Sequence, residues 1–214
     1  SILEQMGIPV YGEEGVEADD VIATIVTRLH QERPGLNVRI VSRDKDLSQL
    51  LRPGVELFDV HKDLAVTPAE IFKTEGVRPD HVGDILALMG DSSDNIPGVP
   101  GIGAKTAAKL ILQYGSIDAL FQHLNEIKGK RRQNLDASRD VVSLSRQLVE
   151  LKTDVAVDFD LDRAVVEPTE LAIKELAETF RTLDFRSHRA TLEALVGGED
   201  PAPEESTSVG PVDE

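Results

Sequence analysis

The chain has 214 residues, 40% of them apolar, enough for one ordinary domain and a small appendage. It has no cysteine, which excludes disulfides and thiolate metal sites and fits a reducing, cytoplasmic compartment, and no apolar run approaches the roughly 20 residues that span a bilayer. A net charge of -16 would argue against a polyanionic partner only if it were spread evenly, and it is not. Residues 197–214 hold six acids and no base among prolines and serines, the composition of a disordered linker, whereas residues 97–132 hold six bases against two acids, a local charge of +4.

In chain order, residues 1–7 read as the end of a helix with Gly7 as its cap, and Ile8 to Tyr11 as a short strand. Ala18 to Gln31 carries apolar residues at helical spacing, Asn37 to Ser42 reads as a strand, Leu47 to Leu51 as a short helix stopped by Pro53-Gly54, and Val55 to Val60 as a third strand. Alternating strands and helices imply a parallel, helix-covered α/β sheet. Three strands make a thin sheet, so a further central strand is expected upstream of Ser1. After His61 the pattern turns helical: Pro68 to Glu75, Pro79 to Met89, Ala104 to Tyr114, Ile117 to Leu124, a longer helix over Lys130 to Leu151, an extended Val155 to Phe159, then helices over Thr169 to Leu183 and Ser187 to Val196. The resulting division is a partial α/β core over 1–66, a helical region over 67–196 and the linker over 197–214. Phe121, Phe159, Phe180 and Phe185 fall in apolar patterns and read as core, and the histidines show no ligand spacing.

Acids gather where these elements meet. Glu17, Asp19 and Asp20 open the first long helix, with Glu17 and Asp20 three apart on one side of its first turn. Asp44 and Asp46 follow the second strand at the C-terminal edge of the sheet, where open α/β sheets place their sites. Asp91 and Asp94 lie in the turn after Met89. Capping explains Asp19 or Asp44 taken singly, and a polar turn explains Asp91 and Asp94. Together, within about 80 residues, carboxylates at such density repel one another unless divalent cations neutralise them, which points to a one- or two-metal phosphodiester site with Asp20, Asp44, Asp46 and Asp91 at its centre.

Beside Asp94 runs Ile96-Pro97-Gly98-Val99-Pro100-Gly101-Ile102-Gly103, which opens a helix bearing Lys105, Thr106 and Lys109. Gly98, Gly101 and Gly103 permit sharp turns, and the helix start offers amides, a hydroxyl and charge to phosphate oxygens without reading base sequence. It is not a P-loop, since G-x-x-x-x-G-K-[ST] is absent. Lys128, Lys130, Arg131 and Arg132 form a second basic cluster, either flanking a duplex or solvated at a helix start.

The stretches GVEADDVIATI, VSRDKDLSQLL and GDSSDNIPGVPGIGAKTAAKLI closely resemble the 5′-3′ exonuclease domain of bacterial DNA polymerase I, in the flap endonuclease family. The resemblance covers about Ile8 to Leu151, and the acidic tail resembles the start of a linker toward a polymerase portion. It implies a Rossmann-like (PIN-like) core followed by a helix-three-turn-helix over about 84–112. It also implies two Mg2+ or Mn2+ ions held by Glu17, Asp19, Asp20, Asp44, Asp46, Asp91 and Asp94, and a K+ ion in the turn. The implied substrate is duplex DNA with a 5′ flap, nick or RNA primer end, met by a monomer with no membrane partner. The family's first strand, with its metal-binding aspartate, and its basic helical arch have no counterpart here, so the sequence resembles the C-terminal part of that domain. The rival readings are a duplex-DNA binding module without catalysis and, on the strength of Asp44-Lys45-Asp46, a small-substrate phosphohydrolase; the +4 glycine-turn region argues against the latter.

Overall fold

The structure is a computed structural model that describes residues 2–166, 173–186, 188 and 191–192. Residues 12–157 form one compact unit, and residues 2–11 with the described residues from 158 onward form a second. Among the described residues no helix is long and apolar enough to cross a membrane.

In the larger unit, α2 (Ala18–Glu32) buries Val21, Ala23, Val26 and Leu29 against the core. β1 (Val38–Val41) pairs in parallel with β2 (Val55–Asp59), as the alternating pattern predicts, with Ile40 opposite Leu57. The connection is a 3-10 segment over Asp46–Leu50 that buries Leu47 and Leu50. A short β3 (Leu64–Val66) then pairs antiparallel with β2, giving a mixed sheet of order β1-β2-β3.

The helical half is built around α4 (Val82–Met89). Val82, Ile85, Leu86, Ala87 and Leu88 are all buried, covering more than one face, as expected of a helix enclosed by neighbours. Those neighbours are α5 (Ala104–Tyr114) and α8 (Arg139–Val149). α3 (Pro68–Glu75) is capped by Thr67, whose hydroxyl accepts from the Glu70 amide at 3.2 Å, and ends on Gly76 at φ 68°. α6 (Ile117–Gln122) is capped by Ser116, whose hydroxyl accepts from the Ala119 amide. Arg146 of α8 ties these layers together, pairing with Asp118 at 3.1 Å and Asp84 at 3.5 Å, while Asp84 accepts the Ile117 amide.

Four sequence expectations are corrected. Ile8 to Tyr11 forms no strand: Pro9 has no amide to give a ladder, and among the described residues no strand lies beside it. The single helix over Lys130 to Leu151 is two helices, α7 (Gly129–Ala137) and α8, broken at Ser138 with φ -105° and ψ 13°. The sheet is mixed and not parallel throughout, because β3, absent from the expected elements, pairs antiparallel with β2. Val155 to Phe159 contains no helix or strand, and α2 takes hydrogen bonds from the chain there. Asp20, Thr24 and Arg28, one helical turn apart, accept the Lys152 amide at 2.9 Å, accept the Val155 amide at 3.2 Å and donate to the Val157 carbonyl at 3.1 Å, respectively.

In the smaller unit, α1 (Ile2–Gln5) packs on α9 (Ile173–Thr182), where Leu176, Phe180 and Leu192 are buried with Ile2 and Met6 against them. Tyr11 meets Phe159 edge-on at 5.2 Å. Phe185, expected in the core, is 41% exposed although it stacks near Phe180 and His188. The expected helix starts at Thr169 and the greater part of the expected Ser187 to Val196 helix and the 197–214 linker lie outside the described residues.

Candidate functional site

Each acidic loop is placed by the element before or after it. β1 ends at Val41, and the chain turns through Ser42, whose hydroxyl accepts the Asp44 amide at 3.0 Å; Asp44 Oδ1 in turn accepts the Asp46 amide at 3.0 Å. This short Asx turn leaves Asp44 exposed and half-buries Asp46 at the start of the 3-10 segment. α4 ends at Gly90, after which Asp91 and Ile96 exchange backbone hydrogen bonds of 2.9 and 2.7 Å. Asp91 is buried, with one carboxylate oxygen accepting the Ser93 amide at 2.8 Å and the other accepting from Lys45. Lys45 therefore joins the loop after β1 to the loop after α4.

The electrostatics show which acids share a field. Asp46 is pushed up to about 6, first by burial and next by Asp44, with Asp91 and Asp94 adding to it against the opposing effect of Lys45. Asp19 is raised by burial and then by Asp44, Glu17, Asp20 and Asp94. The Lys45 ammonium holds Asp91 below the usual carboxylate range, with help from the Ser93 amide, and Lys45 is itself raised by that contact. The three acidic clusters thus converge on one region. Asp20 differs from the rest: it is buried, and both of its oxygens face Lys152, the amide at 2.9 Å and the ammonium at 3.4 Å. Glu17, the residue before α2, is exposed and makes no capping bond.

Among the described residues no three carboxylate or imidazole groups are drawn together tightly enough to hold an ion as they stand. The donors nevertheless fit a hard divalent cation, being all oxygen, and Asp46 Oδ1 is buried without any hydrogen-bond partner. An acceptor in that state costs about 1–3 kcal/mol unless something electropositive meets it. Lys45 is the local counter-charge, and its removal gives a clear expectation. Lys45→Met should cost about 1–2 kcal/mol in urea unfolding at pH 7 without divalent ions, less than a fully buried pair because Lys45 is 58% exposed. Asp91→Asn in the same background should recover most of the loss; no recovery would mean that the lysine stabilises by packing alone.

The glycine turn is built by close backbone approach. Gly90, at φ 72°, and Gly98 pass so near each other that a Cβ on Gly98 would lie 2.2 Å from the Met89 carbonyl oxygen. Val99 and Ile102 are buried, the Val99 amide donates to Leu88, and the Ser145 hydroxyl of α8 donates to the Pro97 carbonyl at 2.5 Å. Asn134 of α7 donates to the Pro100 carbonyl at 2.7 Å. Gly101 sits at φ 78°, whereas Gly103 is the extended N-cap of α5 with open space around it. Lys105 and Lys109 are exposed and Thr106 is half-buried, with no acid in the first turn of α5. Lys45 and Lys105 line one recess of about 380 Å³ floored by Ile71, Val82, Ile85 and Met89, so the turn helix and the acidic region are neighbours.

Sequence reasoning singles out the glycines and acids but assigns no part to Lys45, Gly90, Asn134 or Ser145. Gly90 carries a readable signal, a glycine directly after an apolar helical run. Asn134 and Ser145 carry none, being polar residues in helices that meet the turn only in three dimensions.

Residues 1–77 match the model of the 5′-3′ exonuclease N-terminal resolvase-like domain, and residues 77–172 match that of the 5′-3′ exonuclease C-terminal SAM fold. The chain is 47% identical over 162 residues to DNA polymerase I of Rhizobium leguminosarum, covering 75% of this chain and 16% of that protein. It is 35% identical over 191 residues to a 5′-3′ exonuclease of Buchnera aphidicola, covering 86% of this chain and 65% of that one. Among solved structures, a complex of bacteriophage T5 flap endonuclease with DNA and metal ions superposes with a TM-score of 0.60 at 31% identity, covering 66% of this chain and 52% of that one. The chain therefore spans well under a quarter of the polymerase it matches and just under two thirds of the shorter exonuclease. Two adjoining domain models of one enzyme family, met in their natural order over an α/β part and a helical part, leave one assignment: the chain belongs to the 5′-3′ exonuclease family.

Proposed function

We propose that this chain is part of a 5′-3′ exonuclease or flap endonuclease that hydrolyses DNA phosphodiesters in replication and repair, with a polymerase portion in the same full-length protein. The observation that carries the reading is the Lys45 to Asp91 contact. It brings the acids at the sheet edge against the turn whose far end opens α5, so a region suited to divalent cations adjoins one suited to a phosphate backbone.

In this reading Asp19, Asp44, Asp46, Asp91 and Asp94 hold two divalent cations, Mg2+ or Mn2+, with Glu17 at the periphery. Asp20 braces the site through Lys152. Bound ions of this kind supply Lewis acidity at the scissile phosphate and a more acidic nucleophilic water. The protein's own part is positional. Asp46 Oδ1 presents an acceptor with no competing hydrogen bond, and the Asp44 Asx turn fixes the loop that carries it. Asp91 is held ionised by Lys45 and the Ser93 amide. The turn from Gly98 to Gly103, with Lys105, Thr106 and Lys109, grips the duplex through its phosphates, a K+ ion among the turn carbonyls adding to the grip. The relatives and the T5 complex with DNA and metal ions support this assignment.

The test is Mg2+-dependent cleavage of a 5′-flap duplex by the full-length protein. Asp44→Ala with Asp91→Ala should lower cleavage by about 100-fold or more, several kcal/mol of lost transition-state stabilisation, while flap binding persists. Unchanged cleavage would sink the catalytic assignment. A second reading, duplex binding without chemistry, draws on a turn braced by α7 and α8 independently of any cation. Salt-dependent duplex binding by this chain without Mg2+-dependent cleavage would favour it.

A further inference from the structure

We infer that α7 extends the duplex-binding surface, with Lys130, Arg131 and Arg132 contacting phosphates of the same DNA duplex that α5 and the glycine turn hold. This rests on the duplex-binding part of the proposed function and adds to it a second set of contacts.

The first support is the unused charge. Lys128, Lys130, Arg131 and Arg132 are exposed, as are Lys105 and Lys109, and among the described residues none of them forms an ion pair. Every other lysine with a described side chain is paired: Lys45 with Asp91, Lys62 with Asp59, Lys73 with Glu70 and Lys152 with Asp20. Most arginines elsewhere are paired as well, among them Arg39 with Glu56, Arg78 with Asp80 and Arg146 with Asp118, while Arg43 and Arg52 form no ion pair among the described residues. In a chain of net charge -16, cations find carboxylate partners easily, yet those on α5 and at the start of α7 have none. The first turns of both helices contain no acid.

The second support is the composition of α7. Leu135 is its one buried residue, and the rest of the helix is polar on all sides, so core packing accounts for little of its sequence. The third is its docking. Asn134 donates to the Pro100 carbonyl inside the glycine turn and would stand 3.9 Å from a Cβ on Gly101. Lys130 and Arg131 precede Asn134 by four and three residues, which puts them on the same face of α7, about one helical turn, or roughly 5.4 Å, from the contact with the turn. Lys130 and Arg131 of α7 and the cations of α5 therefore flank one loop, with Arg132 in the same exposed helical turn, and a rigid polyanion seated on that loop runs past both helices. Contacts of this kind go to the backbone and carry no sequence preference.

The experiment is duplex binding by fluorescence anisotropy across a salt series, using the whole chain and a plain labelled duplex. The probe variant is Lys130→Gln with Arg131→Gln and Arg132→Gln, all at exposed helical positions, with folding checked by circular dichroism. A second variant, Lys105→Gln with Lys109→Gln, reports the turn helix, and Lys62→Gln with Arg39→Gln and Arg78→Gln removes the same charge elsewhere. Each lost phosphate contact reduces the slope of log K against log salt by about 0.9. We expect the α7 variant to lose at least one unit of slope beyond the charge control, up to about 2.7. A loss of less than one unit overturns the inference. If the Lys105 and Lys109 variant still loses slope in that case, the duplex-binding proposal survives and α7 has no share in it; if the unaltered chain does not bind duplex, both fall.

Discussion

Gly98→Ala is expected to destabilise the chain by about 3 kcal/mol or more and to remove duplex binding, while Gly103→Ala, in the same turn, is expected to change stability by about 0.5 kcal/mol or less. At Gly98 a β-carbon would lie 2.2 Å from the Met89 carbonyl oxygen, 2.4 Å from its carbon and 2.6 Å from the Gly90 nitrogen. All three are backbone atoms, so no rotamer relieves the overlap. The end of α4 would have to move, and Asp91, fixed only two residues after Met89, would move with it. Gly103 meets nothing within 4 Å and has φ -100°, a conformation open to alanine. Its replacement loses a little N-cap preference and gains a comparable reduction in unfolded-state entropy. Gly101, at φ 78° with room around it, falls between, at about 1–2 kcal/mol of backbone strain. Urea midpoints for the three variants check the order; equal losses would show that the turn adapts as a whole.

Asp46→Asn is expected to stabilise the chain at pH 7 in the absence of divalent ions, by about 1–2 kcal/mol. The folded protein pushes Asp46 up to about 6 from an ordinary value of 3.8, so between those values the unfolded chain is ionised while the folded chain keeps its proton. The unfolded state then binds fewer protons, and stability falls as pH rises through that window. The full shift would correspond to about 3 kcal/mol, reduced here because Asp46 is only half-buried and water screens its neighbours. The advantage of the asparagine variant should vanish below about pH 4, grow between pH 4 and 6, and level off above. Millimolar Mg2+ or Mn2+ should reverse the order, since a cation that binds only the folded carboxylate form stabilises the parent chain by RT ln(1 + [L]/Kd) and has no such hold on the amide. Thermal melts across pH, with and without the ion, read both effects. Parallel curves for the two proteins would remove Asp46 from the cation site.

Much of this was legible in the sequence because the elements carry strong local signals. The Pro68 to Glu75 helix is announced by Thr67 and Pro68 at its start and Gly76 at its stop, and β1 and β2 carry apolar residues at alternating positions between turn residues. The failures have identifiable causes. Leu135, Ser138, Val142, Ser145 and Val149 stay in helical phase across the break at Ser138, so periodicity hides the boundary between α7 and α8. Ile8 to Tyr11 has strand-like composition, but a strand exists only with a partner. β3 is too short for its pattern to register. At the site, sequence position brought the three acidic clusters to element boundaries, yet it could not say that Asp20 turns toward Lys152 or that Lys45 reaches across to Asp91. Those facts depend on the path of the backbone through space, which no local window contains.

The bracing of the glycine turn has a consequence for kinetics. A loop fixed by Ser145, Asn134 and the buried Val99 and Ile102 has little conformational freedom left to surrender when a ligand arrives. Association then needs no ordering step, and encounter of a polyanion with the free cations around the loop becomes the slow event. Such a surface captures a polyanion quickly and tunes its hold through dissociation.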